Sequence, residues 1–542
     1  MAGFDPQGSG HSLFVRQRRG HPVWAALLAL LAGGLQAASL AWPVAMPTFL
    51  GALGLAQGQA LWWGQTLALA TLVYLLLHSG SARSAAWRGW LFTTAWLACT
   101  FAWLATSMHT YGGLSAPLAV LAVLALAAAL ALYYTASSWC FWHIAYINKG
   151  LVAIYFIAAW VLAEMARGML LTGFGWGAIG YAHVNGPLAP ALPWLGLYGV
   201  SALAALLAVL LAFMLDARSW RALGQPALAL VALLALLPWL PAPQGAATGT
   251  LSVTLLQGNI AQDEKFEQGS GVPKALRWYG EQLNASTAAL IISPETAVPL
   301  LPEQLPQGYW QALQQRFAGQ GQAALIGVPL GSYEAGYTNS VVGFKPGQAA
   351  PWRYDKHHLV PFGEFIPPLF RWFTDLMAIP LGDFNRGGLA QPTFDWQGQR
   401  LATSICYENL FSEEMAAQFI DAAIAPTVLV NVSNLGWFGA HLAMDQHLQI
   451  ARVRALEFDR PFLLSTNTGR TALVDHQGRV THALPNHVAQ ALQAQVQGRD
   501  GITPYVWWVS RWGQWPVVIL ALLSVLAISF FGRRSQEQPG SF

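Results

Sequence analysis

Apolar and polar positions fall into two regimes along this chain. Between residues 22 and 241 charge is nearly absent, and apolar runs recur at about 22–41, 60–78, 89–106, 115–134, 151–166, 196–215 and 225–241. Each approaches the roughly 20 residues that a helix needs to cross the hydrocarbon core of a bilayer. An eighth run lies at about 515–531. The stretch 44–56 is short and marked by Gly and Pro, which predicts a loop or re-entrant segment. From Leu251 the apolar stretches shorten and become β-rich. Strands are predicted at 251–257, 289–293, 323–328, 338–344, 401–405, 427–432, 461–466 and 471–475. Helices are predicted near 305–319, 411–420 and 441–458, with Ser412-Glu413-Glu414 as a helix start. Lys345-Pro346-Gly347 and His476-Gln477-Gly478 read as turns. Strands alternating with helices predict a layered α/β domain.

This division sets the organisation. A cytoplasmic N-terminus over 1–21 precedes a multi-span α-helical membrane domain over 22–241 with about seven helices. An α/β domain follows over 251–500, then an interfacial connector and a last span over 501–531, and a cytoplasmic tail over 532–542. About 250 residues suffice for a full core without disulfides. The connector carries Tyr505, Trp507, Trp508, Trp512 and Trp515, side chains that favour the membrane interface.

Composition sharpens the picture. Of the 542 residues only 10% are charged, against about 25% in soluble domains. A formal net charge of +3 is too small to argue for nucleic acid, so the basic residues matter by position. Arg16, Arg18 and Arg19 precede the first run, Arg83 and Arg88 lie between the second and third, Lys149 between the fourth and fifth, and Arg218 and Arg221 between the sixth and seventh. Arg533 and Arg534 follow the last run, while 42–59 and 107–114 hold no Lys or Arg. Positive residues stay inside, which places both termini in the cytoplasm and the 251–500 domain on the outer side. The N-terminal Arg cluster and first run could form a cleaved signal, but the further spans favour a retained helix. Glu164 and Arg167 share one helix face at i,i+3. Either they satisfy each other near the interface or they contact lipid headgroups.

Candidate chemistry centres on Cys406. The other two cysteines, Cys99 and Cys140, lie in the membrane half, so Cys406 has no evident disulfide partner. It ends one predicted strand, and Glu295, in Ser293-Pro294-Glu295, ends another. Strand ends are where α/β folds place reactive groups. Lys356 follows Tyr354-Asp355 and opens a Pro/Gly-bearing loop. A thiol is mostly protonated at neutral pH. A carboxylate can take its proton, and an ammonium and the Tyr407 backbone N–H can stabilise an oxyanion. Singly, each has a plainer reading: a buried structural thiol and two surface charges. His357 and His358 lack the spacing of a His-Glu-x-x-His site, so no metal is expected.

Ser293-Pro294-Glu295, Lys356 with Pro361-Phe362-Gly363-Glu364, and Cys406-Tyr407-Glu408 resemble the Glu–Lys–Cys signature of the nitrilase superfamily. Gln257-Gly258-Asn259-Ile260, Leu359-Val360-Pro361-Phe362-Gly363-Glu364, Asn431 through Gly439, and Arg454-Ala455-Leu456-Glu457 resemble apolipoprotein N-acyltransferase. So do Ser107-Met108-His109-Thr110-Tyr111-Gly112-Gly113 and Leu171-Thr172-Gly173-Phe174 in the membrane half. The resemblance implies an αββα sandwich in the bacterial periplasm, anchored in the inner membrane. It implies acyl transfer from a phospholipid, typically phosphatidylethanolamine, to the amine of the diacylglyceryl-cysteine that begins an apolipoprotein. By the same resemblance Cys406 is the nucleophile, Glu295 the base and Lys356 the stabilising cation. Glu364 is a second essential acid, and Tyr407 and Glu408 are active-site neighbours. A thioester keeps enough acyl reactivity to form an amide, so no cofactor is implied. Leu435-Gly436 departs from the family pattern, where Asp or a similar polar residue precedes Trp437.

Trp437 and Phe438 are candidate acyl-chain contacts, with ordinary core packing as the alternative. The apolar stretch 365–380, including Trp372 and Phe373, is either a lipid-contacting arm or a buried helix. The expected partners are membrane lipids and apolipoproteins, with a monomer as the default state. Two other readings compete: a membrane-tethered nitrilase-type amidohydrolase that releases its acyl group to water, and a transporter or receptor with an inactive sensor domain. Eight spans exceed the single anchor the first requires, and the intact Glu295, Lys356 and Cys406 speak against the second.

Overall fold

A computed structural model describes residues 22–145, 148–243, 245–319, 321–348, 350–367, 384–440 and 442–537. Its membrane half contains α1 (Pro22–Ala38), α2 (Trp62–Leu77), α3 (Ala82–Thr100), the short α4 (Trp103–Thr106), α5 (Ala116–Trp142), α6 (Lys149–Met169), α7 (Leu192–Asp216) and α8 (Trp220–Leu236). Among the described residues four helices are long and apolar enough to cross a membrane, and six if each of two bent pairs is one span. The shorter apolar helices α1 and α2 bring the helical segments into line with the eight predicted runs. The third run differs in detail. Its helix begins at Ala82, where the Ser81 hydroxyl accepts from the Ser84 N–H, and it breaks after Thr100 with a 53° bend. Arg83 and Arg88 therefore belong to the helix rather than the loop before it. Arg88 Nη1 donates to the Leu75 carbonyl at 2.5 Å, satisfying an orphan acceptor near the C-terminus of α2.

Small residues let these helices approach. A Cβ on Gly33 would overlap the Phe92 carbonyl, and one on Gly89 would overlap the Ser138 side chain. Neither reading of Glu164 and Arg167 holds. Both are buried, and they serve the backbone of the loop above α6. Glu164 Oε1 accepts from the Ile179 N–H at 2.8 Å, while Arg167 Nη1 donates to the Phe174 and Trp176 carbonyls at 2.5 and 2.7 Å. The predicted 44–56 loop forms, with a 3₁₀ turn over Thr48–Leu53.

Among the described residues the second half holds twelve strands, β1 (Ala247–Gln257), β2 (Leu290–Ile292), β3 (Ala323–Ser332), β4 (Gly336–Phe344), β5 (Trp352–Asp355), β6 (Phe394–Trp396), β7 (Gln399–Ile405), β8 (Val428–Ser433), β9 (Phe462–Thr466), β10 (Ala472–Val474), β11 (Val480–Ala483) and β12 (Gln490–Arg499). They form two six-stranded sheets, ordered β12-β1-β2-β3-β4-β5 and β11-β10-β9-β8-β7-β6. Alternation puts Leu251, Val253 and Leu255 of β1 into the core between the sheets, opposite Leu401, Ile405, Val428 and Val430. On the outer face of the first sheet lie α9 (Gly271–Ala285) and α10 (Tyr309–Ala318), through Leu276, Tyr279, Leu313 and Phe317. Ser412–Ala416 (α11) and Leu442–Phe458 (α12) cover the second. The result is an αββα sandwich.

All eight predicted strands form. The pattern did not reveal β5, β6, β11, β12 or α9. β12 is rich in Gln and Ala and has no strong alternation, but it pairs antiparallel with β1 along its whole length. A partner strand, not local propensity, makes it a strand. The aromatic connector is a helix, α13 (Pro504–Trp512), bent by 85° against α14 (Trp515–Glu537). Trp507, Trp512 and Trp515 are exposed, whereas Tyr505 is buried. The Tyr505 ring occupies the space a Cβ on Gly196 would take, and Trp508 Nε1 donates to the Trp194 carbonyl at 3.1 Å.

Candidate active site

Three strand ends converge. At the end of β7, Cys406 has φ 52°, a left-handed conformation rare for residues with a Cβ. It opens a 3₁₀ turn over Cys406–Leu410. Beyond β2, the turn Ser293-Pro294-Glu295 lies so close to β3 that a Cβ on Gly327 would overlap the Pro294 carbonyl. Lys356 follows β5 and is tied to β4 by its N–H on the Asn339 carbonyl at 2.8 Å.

The side chains form one polar cluster. Lys356 Nζ lies 2.9 Å from Glu364 Oε1 and 3.4 Å from Glu295 Oε1. Asn339 Nδ2 donates to the same two oxygens at 2.8 and 2.7 Å. Glu295 Oε2 accepts from the Asn434 N–H at 2.8 Å, and Glu364 Oε2 from the Val360 N–H at 2.9 Å. Glu408 clamps the turns together. Its Oε1 accepts from the His357 and His358 N–H groups at 2.6 and 3.1 Å. Its Oε2 accepts from the Ile405 N–H at 2.6 Å and the Tyr354 hydroxyl at 2.9 Å.

Electrostatics set the resting protonation. Burial pushes the Cys406 thiol up and the Glu295 charge adds to this, while Lys356 pulls the other way; the thiol ends well above its ordinary value. Burial also works against the Glu295 carboxylate, but Lys356, Asn339, Lys265 and the Asn434 N–H outweigh it and hold the carboxyl below the usual range. Burial lowers Lys356, yet Glu364 and Glu295 hold it above the ordinary lysine value. At neutral pH the site thus carries a thiol, a carboxylate and an ammonium. That arrangement suits a base-assisted nucleophile beside an oxyanion-stabilising cation.

The family model for the apolipoprotein N-acyltransferase N-terminal domain matches residues 47–210, and that for carbon-nitrogen hydrolase matches residues 252–501. An apolipoprotein N-acyltransferase from Verminephrobacter eiseniae is 52% identical over 524 residues, covering 91% of this chain and 94% of that protein. Another, from Ralstonia nicotianae, is 41% identical over 86% of this chain and 89% of its own. The chain belongs to the apolipoprotein N-acyltransferase family. It is thus a multi-pass membrane protein of an acyltransferase family, with a nitrilase-like domain. Among solved structures, a Saccharomyces cerevisiae protein of nitrilase superfamily branch 10 aligns at 15% identity and TM-score 0.34, over 46% of this chain and 90% of that one.

The family motifs in the membrane half pack against this cluster. The Tyr407 hydroxyl donates to the Gly173 carbonyl at 2.9 Å. His358 Nε2 lies 3.1 Å from the Thr172 carbonyl and Nδ1 lies 2.9 Å from Glu414. Trp437 meets Tyr111 edge to face at 5.2 Å, and Phe438 meets Trp103 at 4.5 Å. The Tyr111 hydroxyl donates to the Gly436 carbonyl at 3.1 Å. Phe438, half-buried, thus touches both halves, while Trp437 keeps 37% of its surface exposed. At the departure from the family pattern, Leu435 is buried and Gly436 fits against Asn434, Thr468 and Gln262. Trp372 and Phe373 lie outside the described residues. Arg454-Ala455-Leu456-Glu457 staples the halves: Arg454 pairs with Glu457 at 2.5 Å, and Glu457 Oε1 accepts from the Leu197 N–H of α7 at 2.6 Å.

Sequence reasoning passed over Asn339, Asn434 and Lys265. Asn339 lies in the polar start, Thr338-Asn339-Ser340, of a predicted strand, where nothing set it apart. Asn434 stood inside a motif already singled out. Lys265, five residues beyond Gln257-Gly258-Asn259-Ile260, carried no signal of burial.

Proposed function

We propose that this protein transfers an acyl chain from a phospholipid, with phosphatidylethanolamine as the probe of choice, to the α-amine of diacylglyceryl-cysteine in apolipoproteins. The transfer runs through an acyl-thioester on Cys406. The observation that carries the reading is Lys356, an ammonium between the Glu295 and Glu364 carboxylates at the turn that Glu408 ties to Cys406.

In the first half-reaction Glu295 takes the thiol proton as sulfur attacks the donor ester carbonyl. Lys356 and the Tyr407 N–H stabilise the oxyanion. The C–O bond breaks, and the departing lysophospholipid oxygen takes the proton from Glu295. In the second, the acceptor amine attacks the thioester, Glu295 takes a proton from nitrogen, the C–S bond breaks and the thiolate is reprotonated. The amide leaves and the enzyme is restored, as ping-pong chemistry requires. Glu364 holds Lys356 and Asn339, and Tyr407 and Glu408 hold the turn. Both substrates are lipids, and exposing an acyl chain to water costs about 0.8 kcal/mol per CH₂. This favours a site seated on the membrane. In this reading the sandwich faces the periplasm, both termini are cytoplasmic and the anchor is the inner membrane.

The test is mass spectrometry of the purified protein after incubation with phosphatidylethanolamine, beside C406S. An acyl mass on the Cys406 peptide, discharged by a diacylglyceryl-peptide, is expected. Discharge to water at the same rate without acceptor would favour the amidohydrolase, and no adduct would overturn the thioester.

A further inference from the structure

We infer that Lys265 is a positioning residue for this reaction: its ammonium clamps the Glu295 main chain and supplies a second positive charge beside the base and nucleophile. The inference rests on the roles proposed above for Glu295 and Cys406.

Lys265 is only 2% exposed, a rare placement for a lysine without a paired carboxylate. Its Nζ donates to the Glu295 carbonyl oxygen at 3.0 Å. That carbonyl belongs to the peptide before Thr296, whose φ of 52° is left-handed, at the turn that β3 presses through Gly327. A base whose backbone sits in a strained turn needs an anchor to keep its carboxylate on the nucleophile, and a misplacement of about 1 Å can cost about 100-fold in rate.

The charge acts as well as the bond. Two carboxylates, Glu295 and Glu364, face Lys356, and Lys265 is a further cation. Glu408 is surrounded by three main-chain N–H donors and the Tyr354 hydroxyl. Burial lowers His447 to about 4, so it is neutral. Asp263 is exposed and Glu264 is half-buried. Burial lowers Lys265 to about 8, against the opposing pull of Glu295 and Cys406. Below that pH the ammonium and its charge-assisted bond are present; as pH rises through it, the charge is lost and the bond weakens to that of a neutral amine. The thiol lies higher, so thiolate formation does not mask the loss.

The experiment measures acyl-thioester formation by the full-length enzyme in detergent with phosphatidylethanolamine between about pH 6.5 and 9.5. It compares wild type, K265M and K265R, with thermal unfolding as the check on fold. Wild type is expected to slow by about tenfold per pH unit above about 8. K265M should be about 30- to 100-fold slower at pH 7, with no bend near pH 8. K265R stays charged throughout, so it should retain more activity than K265M and also lose that bend. A bend at pH 8 that survives in K265M overturns the inference, whatever the rate. If K265M does not fold, K265R decides: loss of the bend supports the role, and its persistence overturns it. No adduct in wild type at any pH overturns the thioester reading and this inference together. An adduct with an unmoved bend in the variants overturns the inference alone.

Discussion

Replacing Glu408 by Gln tests the idea that this carboxylate holds the nucleophile turn against the lysine turn. In the wild type four donors converge on its two oxygens, at 2.6 and 3.1 Å on Oε1 and 2.6 and 2.9 Å on Oε2. The amide oxygen of Gln can keep the His357 and His358 N–H groups. Its NH₂ then faces the Ile405 N–H, donor against donor. An unsatisfied buried N–H costs about 1–3 kcal/mol, and each charge-assisted bond reduced to a neutral one costs about 1 kcal/mol. The sum is on the order of 3–5 kcal/mol. Turning the amide around opposes two N–H groups instead and is worse. If about half of this is released by letting the Cys406 turn move, roughly 2 kcal/mol falls on the transition state. That corresponds to about 30-fold in rate. Single-turnover acylation of E408Q, followed by mass spectrometry, should therefore be about 30- to 100-fold slower, with a KM for donor within about threefold and a lowered Tm. Acylation within threefold of wild type by a folded E408Q would refute the clamp.

Other outcomes follow from the same contacts. R454M leaves the buried Glu457 carboxyl without its cation, and should destabilise the protein by about 3–5 kcal/mol in thermal unfolding; R454M/E457Q should recover most of the loss. In G327A the new Cβ meets the Pro294 carbonyl and comes within 2.9 Å of Glu295 Cα, so kcat should fall by more than about tenfold at a stability cost of about 1–3 kcal/mol. Y407F removes only the bond to the Gly173 carbonyl, worth about 0.5–1.5 kcal/mol. Its acylation rate should stay within about tenfold of wild type, and a drop beyond about 100-fold would place that hydroxyl in the chemistry instead.

Much of this was legible in the chain because it depends on neighbours. A run of apolar residues near the thickness of a bilayer is a helix in hydrocarbon almost regardless of partners, since its own hydrogen bonds satisfy its backbone. Short β-rich runs such as 251–257 and 401–405 marked strands, and the ends of two such runs pointed to Glu295 and Cys406. Where the pattern was silent the reason is also physical. Gln490–Arg499 is a strand because β1 offers it a ladder. Arg83 and Arg88 read as loop charges because nothing local announces that Arg88 will cap the preceding helix. Glu164 and Arg167 read as a pair because they share a helix face, yet each finds a better partner in the loop that folds back over them.

By itself, then, the sequence determined the two regimes, the spans, the strand ends and the residue types able to run acyl transfer. Only the tertiary structure decided what those residues feel. Lys356 and Glu295 are 61 residues apart in the chain, Tyr407 and Gly173 are 234, and Glu457 and Leu197 are 260. The resting charge of Cys406, the carboxylate state of Glu295 and the burial of Lys265 all follow from such contacts. A pKa is set by the charges and solvent around a group, and those belong to the fold rather than to the neighbours in sequence.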